Sequence, residues 1–260
     1  MRAPVDTIVA PLFPRKLPWL NLAGTGAGTA TAQASIIQRG KPMLVEFWDF
    51  CRPNSLRTLP YIKCWHERYG AAGLRTIGVH CPGFDASRDE GVVSEAVTRL
   101  QISYPVAIDS AFEVWQEYGN EVWPSRYLFD GRARLVDYQH GEGGYRETEL
   151  AIQELLGVER EPMSPVRPED APGALLIAQS EDQPGAYSGP YEAGGVWAVL
   201  DGAGTVHVNG GGQKGDSELM IEHPGAYPLI EHERHTAGIL ELALDTGVEC
   251  LATCFTPGLA

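Results

Sequence analysis

Residues 43–48 (MLVEFW), 74–80 (LRTIGVH) and 104–109 (YPVAID) are short, nearly continuous apolar runs. Runs of this length without polar alternation predict strands covered on both faces, as in a parallel sheet. Helical spacing of the apolar positions in between predicts helices from about Ser55 to Tyr69, near 91–101, at 111–118 and at 146–156, while SRYLFD (125–130) and ARLVDYQ (133–139) predict two more strands. That order is α/β with a mixed sheet. In the last third of the chain the helical period disappears. There VWAVL, TVHVN, ELMIEH, AYPLIE, GILELAL and ECLATCFT, punctuated by Gly, Pro and Asp, predict an all-β antiparallel sandwich of roughly seven strands. Between the two regimes, LGVEREPMSPVRPEDAPG has four prolines, alternating charges and no apolar period. It predicts a linker over 157–172, separating a first domain (1–156, with an extended N-terminal arm) from a second (173–260). The small residues of AGTGAGTATAQAS (24–35) predict a loop, and without a GK[ST] they do not form a nucleotide cradle.

Composition supports two globular domains. The chain has 260 residues, 43% of them apolar, with six Trp and seven Phe, which is enough to fill a core in each. A net charge of -14 repels a nucleic-acid backbone or an anionic membrane, so neither is an expected partner. No stretch is long and apolar enough to predict a membrane span. Proline and charge interrupt the N-terminal MRAPVDTIVAPLFPRKLPWLNL, which therefore lacks the apolar centre of a secretory signal. Cysteines at 51, 64, 81, 250 and 254 form an odd set without paired spacing, which fits a reducing cytoplasm better than a disulfide framework.

The segment VEFWDFCRPNSLRTLP (45–60) is a buried strand running into a helix N-terminus. Here the chain resembles the TlpA-like, redoxin-type branch of the thioredoxin superfamily, whose closest members carry F-W-T-Y-C-C-I-N-C followed by a leucine-proline helix. Without gaps, FWDFCRPNSLRTLP keeps Phe47, Trp48, Cys51, Asn54, Leu59 and Pro60. IGVHCPGF is similar to the family's GVHTPEF, YPVAIDSAFEVWQEYGNEVWPSRYLFD to its strand, helix and cis-proline loop, and HGEGGYRETELAIQELL to its last strand and helix. The resemblance covers residues 11–157 and implies a thioredoxin-like fold. It also fixes a register, because the strand aromatic (Trp48) lies four residues before the first active cysteine and the helix proline (Pro60) five after the second. Both anchors put Arg52 and Ser55 at the cysteine positions, so Arg52-Pro53-Asn54-Ser55 stands in place of C-x-x-C. By the same resemblance, Glu46 occupies the place of a buried acid and Pro124 that of the cis-proline beside which a peptide substrate lies. A thioredoxin-type domain followed by a sandwich further resembles the DipZ-type arrangement, whose sandwich is similar to a carbohydrate-binding module.

Arginine cannot attack a disulfide, and a serine hydroxyl cannot resolve one. Three function classes remain. In one, an altered relative without dithiol activity uses a cleft of Trp48, Arg52, Asn54, Ser55, Trp123 and Pro124 to hold a peptide or a small anionic ligand. In the alternative, Cys51, possibly paired with Cys81, carries thiol-disulfide exchange with a protein partner or peroxide reduction. Cys51 adjoins Arg52 before a helix N-terminus, two features that lower a thiol pKa, and Cys81 ends the neighbouring strand. For peroxide reduction, however, Trp48 stands where a peroxidase has threonine. A third class re-uses Asp49, Arg52, Ser55 and His80 for other chemistry. Cys64, Cys250 and Cys254 read as core. Neither a cofactor nor a metal is expected: His207, His223, His232 and His235, with Glu231 or Glu233, lack cupin spacing, and the odd separation of His232 and His235 puts them on opposite faces of one strand. Tyr187, Tyr191, Trp197 and Tyr227 are candidates for stacking on a sugar or for packing inside the sandwich.

Overall fold

The computed structural model describes residues 8–22, 40–210 and 217–260; the loop expected at 24–35 lies outside the described residues. The chain forms two compact units. The first comprises Met1–Asp49, Asn54–Gly83 and Arg88–Ser164; the second comprises Phe50–Pro53, Phe84–Ser87 and Pro165–Ala260.

The first unit is built on a six-stranded sheet. Its strands are β1 (Trp19–Leu20), β2 (Met43–Trp48), β3 (Arg75–His80), β4 (Val106–Ile108), β5 (Ser125–Phe129) and β6 (Leu135–His140), in the order β1-β4-β3-β2-β5-β6. Strands β2, β3 and β4 run parallel, and β1, β5 and β6 join antiparallel to their neighbours. Every residue of β2 is buried, which is why its sequence is an unbroken run. Val45 and Phe47 pack with Ile77, Val79, Phe129 and, from the N-terminal arm, Phe13 and Leu17. Strand β1 was not expected. Its two residues escape a periodicity argument, and it exists because Trp19 and Leu20 pair with Ala107 and Val106.

Among the described residues, four helices complete the unit: α1 (Pro53–Tyr69), α2 (Glu90–Arg99), α3 (Glu113–Glu117) and α4 (Tyr145–Leu156). Helix α1 opens on Pro53, whose missing N–H would be unpaired in a first turn anyway. Helix α4 ends on Gly157 at φ 62°, with the Val158 N–H closing onto the Gln153 carbonyl at 3.1 Å. Helix α2 is capped by Asp89, which accepts from Gly91 N–H (2.8 Å) and Val92 N–H (3.1 Å). Asp89→Ala is expected to lower stability by about 1 kcal/mol in urea unfolding, and a change below about 0.5 kcal/mol, the floor for such caps, would remove the cap from the account. The chain beyond α4 stays tied to this unit: Glu149 accepts from Met163 N–H (2.8 Å) and Gln153 from Arg160 N–H (3.0 Å).

The second unit is an all-β antiparallel assembly. Its strands are β7 (Leu176–Ile177), β8 (Gln183–Pro184), β9 (Gly189–Gly202), β10 (Gly204–Gly210), β11 (Ser217–Ile221), β12 (Gly225–Leu244), β13 (Val248–Thr256) and β14 (Gly258–Leu259). Six of them form one sheet in the order β11-β10-β12-β9-β13-β8, and β7 pairs with β14. AYPLIE and GILELAL prove to be parts of a single strand, β12, with register shifts between Pro228 and Ile230 and between Glu231 and Thr236. Such bulges bend a strand without ending it. Val196, Ala198, Leu200, Val206, Val208 and Leu240 are central to its core. No helix among the described residues is long and apolar enough to cross a membrane.

Candidate functional site

Strand β2 ends at Trp48, and five residues later α1 begins, so the strand end, the loop and the first helical turn hold the residues singled out by sequence. Ser55 is buried in that turn, and its Oγ accepts from the Asp49 N–H at 3.2 Å. Asp49 has no exposure. One of its carboxylate oxygens accepts from Gly83 N–H at 2.7 Å and the other lies 3.3 Å from His80 Nε2. The His80 ring meets Trp48 edge-on at 5.2 Å between centroids. Ser55, Asp49, His80 and Trp48 thus form a buried polar knot. It ties β2, β3 and α1 together, and the serine hydroxyl acts in it as an acceptor for the backbone.

Cys81 follows β3 and is also buried. Its N–H donates to the Trp48 carbonyl (3.1 Å) and its thiol to Asp109 Oδ2 (3.5 Å). Burial first, then the Asp109 carboxylate, push this thiol well above the ordinary cysteine range. A thiol held neutral in this way is a poor nucleophile. Trp123 Nε1–H donates to the Cys81 carbonyl at 3.0 Å, and the Trp123 ring lies 4.3 Å from that of Trp115. The Trp123–Pro124 peptide is cis. Asn54 is exposed, Trp123 half-buried and Pro124 buried. Cys51 and Arg52 fall in the segment that groups with the second unit. Cys51 is fully buried, the Arg52 guanidinium lies 4.7 Å from the Phe84 ring centroid, and neither Cys51 nor Cys81 is in a disulfide.

Glu46 lies two residues before Trp48 on the same face of β2 and is fully buried. Burial raises its carboxyl to about 8, against the opposing pull of Arg126 and a bond from Tyr104 Oη at 3.5 Å. Gly78 is its partner on β3. A Cβ at Gly78 would stand 3.0 Å from both Trp48 Nε1 and Tyr104 Cε2. Gly78→Ala is therefore expected to destabilise by about 1–3 kcal/mol through overpacking, measured by chemical denaturation; an unchanged midpoint would mean that the two rings yield freely. Arg126 escaped sequence reasoning. The signal was a charged residue inside a predicted buried strand, but its significance depends on the β2–β5 register that sets it opposite Glu46.

In the second unit Tyr191 and Trp197 are core residues, Tyr187 packs edge-on against Phe255, and Tyr227 bonds His223. The histidines are apart: His207 faces Glu218 (3.3 Å), His232 bonds Tyr191 (2.9 Å) and His235 faces Glu192 (3.7 Å). Among the described residues, no three His, Cys, Asp or Glu side chains stand where they could hold a metal ion.

No protein-family model matches the chain. It is 34% identical over 148 residues to Protein DipZ of Mycobacterium bovis, a match covering 55% of this chain and 21% of DipZ. It is 26% identical over 138 residues to the thiol-disulfide oxidoreductase YkuV of Bacillus subtilis, covering 53% of this chain and 87% of YkuV. Among solved structures, a thioredoxin-like superfamily protein superposes with a TM-score of 0.50 at 20% identity, over 60% of this chain and all of its own. That last likeness concerns the fold alone. The chain spans about a fifth of the length of DipZ.

Proposed function

The α/β half is a thioredoxin-fold domain of the redoxin branch, and from that premise we propose that this protein is a thiol-disulfide oxidoreductase relative that has given up dithiol exchange and uses the old cleft to hold a peptide. The observation that carries this reading is Ser55: its oxygen is buried and engaged by the Asp49 N–H, and an alcohol of that kind resolves no mixed disulfide. The neutral, buried Cys81 thiol supports the same conclusion. A peptide would lie along Trp123 and the cis-proline, beside the exposed Asn54. A small anion is the second ligand class, matched to the cation at Arg52. An odd set of five cysteines without paired spacing fits a reducing compartment such as the cytoplasm.

The test has two arms. Reduction of oxidised insulin, driven by a thiol reductant, is expected to match the protein-free rate, and Cys51→Ser and Cys81→Ser should leave it there. Turnover that disappears in Cys51→Ser would overturn the reading in favour of the relocated thiol. In the second arm, carboxymethylated insulin B chain is titrated calorimetrically against the protein. Trp123→Ala is expected to weaken binding about tenfold, as loss of an aromatic contact does; no measurable binding of the peptide by the wild-type protein would eliminate the cleft.

A further inference from the structure

Two side chains with opposite formal charges face each other inside the first unit. Glu46 on β2 and Arg126 on β5 are register partners in adjacent antiparallel strands, 0% and 1% exposed. Arg126 lies over aromatic rings, its guanidinium carbon 5.0 Å from the Tyr145 centroid and 5.9 Å from that of Trp65. Its Nη2 donates to the Gly143 carbonyl. Among the described residues, Arg126 Nε and Nη1 and Glu46 Oε1 have no hydrogen-bond partner. Buried polar atoms in this condition are costly, and here the deficiency is mutual: the unused donors and the unused acceptor belong to a cross-strand pair.

Gly143 belongs to the 141–144 loop that opens α4, where Gln139 Nε2 donates to the Glu142 carbonyl (3.2 Å) and further ties come from other elements. Gly141 N–H donates to the Pro124 carbonyl (2.8 Å), Glu142 accepts from Arg57 of α1 (3.0 Å), and Gly143 accepts from Arg126. Only the last of these ties involves the partner of a buried acid.

We infer that Glu46 and Arg126 form a proton-gated latch, in which a protonated Glu46 leaves Arg126 on the Gly143 carbonyl and an ionised Glu46 draws the guanidinium into an ion pair and loosens the 141–144 loop. The proton leaves the carboxyl for a solvent base, and no other bond is made or broken. The bond to the Gly143 carbonyl is charge-assisted through the guanidinium alone, whereas a carboxylate adds the second charge and can take two N–H donors at once, so an ionised Glu46 pulls Nε and Nη1 toward itself and draws Nη2 off the carbonyl. Among the described residues, the groups that face the pair are few. Tyr104 bonds Glu46, and behind it stands His66 of α1, 5.6 Å from the Tyr104 ring. Tyr145, Asp137 and Glu142 act on Arg126. From β3, the residue opposite Glu46 is Gly78, which brings no charge.

NMR on the intact protein tests the latch. The Glu46 side-chain carbon, the Arg126 Nε–H and the amides of Gly143 and Gly144 are followed from pH 6 to 9.5, with hydrogen exchange of the loop measured at both ends after correction for intrinsic rates. All four signals are expected to move with one midpoint, near the value of about 8 to which burial raises Glu46, and loop exchange to rise about tenfold, which corresponds to roughly 1.4 kcal/mol of lost protection. In Glu46→Gln the Arg126 and loop signals should be flat with pH. An Arg126 Nε–H that stays still while Glu46 titrates, or a Glu46 midpoint in the ordinary carboxyl range, would overturn the latch. The wild-type titration alone suffices for either outcome if the variant does not fold.

Discussion

On the proposed reading, Arg52→Cys combined with Ser55→Cys is expected to create a disulfide reductase, raising insulin reduction on the order of a hundredfold above wild type. The surrounding framework is intact: β2 leads into an α1 that begins at Pro53, and a thiol next to a helix N-terminus is stabilised as thiolate. Each single variant should behave differently. Arg52→Cys alone has an attacking thiol and no partner to release it, so it should accumulate mixed disulfide without turnover. Ser55→Cys alone should do neither, because position 55 is buried. It should lower stability by about 1 kcal/mol, since sulfur accepts the Asp49 N–H poorly. A double variant that folds and titrates two thiols yet reduces nothing would show that the cleft no longer admits a disulfide substrate, and the proposed peptide site would fall with it.

The second large effect is expected in the pH dependence of stability. Glu46 has an ordinary value of 4.5 and a folded value of about 8. Below 4.5 the carboxyl is protonated in both states and contributes no slope. Between 4.5 and about 8 the unfolded chain releases a proton that the folded protein keeps, so stability falls as pH rises; above that window both states are ionised and the slope ends. At about 1.4 kcal/mol per unit the whole window amounts to something on the order of 5 kcal/mol. Glu46→Gln removes this component. Its stability relative to wild type should therefore improve steadily from pH 5 to 8, whatever constant offset the amide introduces beside Arg126. Urea unfolding at pH 5, 6.5 and 8 measures the difference. Parallel profiles for the two proteins would mean that the acid titrates normally in the fold.

Much of the architecture follows from the chain alone. An apolar run such as MLVEFW has one stable destination, a strand covered on both faces, and β2 is that strand. Asp89 and Gly157 mark helix ends through their own backbone chemistry. By resemblance, a register anchored at Trp48 and Pro60 puts Arg52 and Ser55 at the cysteine positions. Sequence failed where a residue's meaning depends on a distant partner. HERHTA reads as a break between two strands, yet β12 continues through it, because antiparallel pairing with β9 tolerates bulges with exposed side chains. Cys51 carries every local sign of a reactive thiol, and only packing reveals it as fully buried.

By itself, the sequence determined which groups are on offer: Arg52, Ser55 and Cys51 bring a guanidinium, a hydroxyl and a thiol to the segment between strand and helix, and no folding changes that inventory. Tertiary structure alone decided what the remaining groups do. Proton affinity and hydrogen-bond partners are properties of surroundings, and the surroundings of Ser55, Cys81, Glu46 and Arg126 come from segments up to 80 residues away, as Glu46 and Arg126 are along the chain. Burial takes these groups out of water, and each is then governed by the few neighbours that the fold supplies.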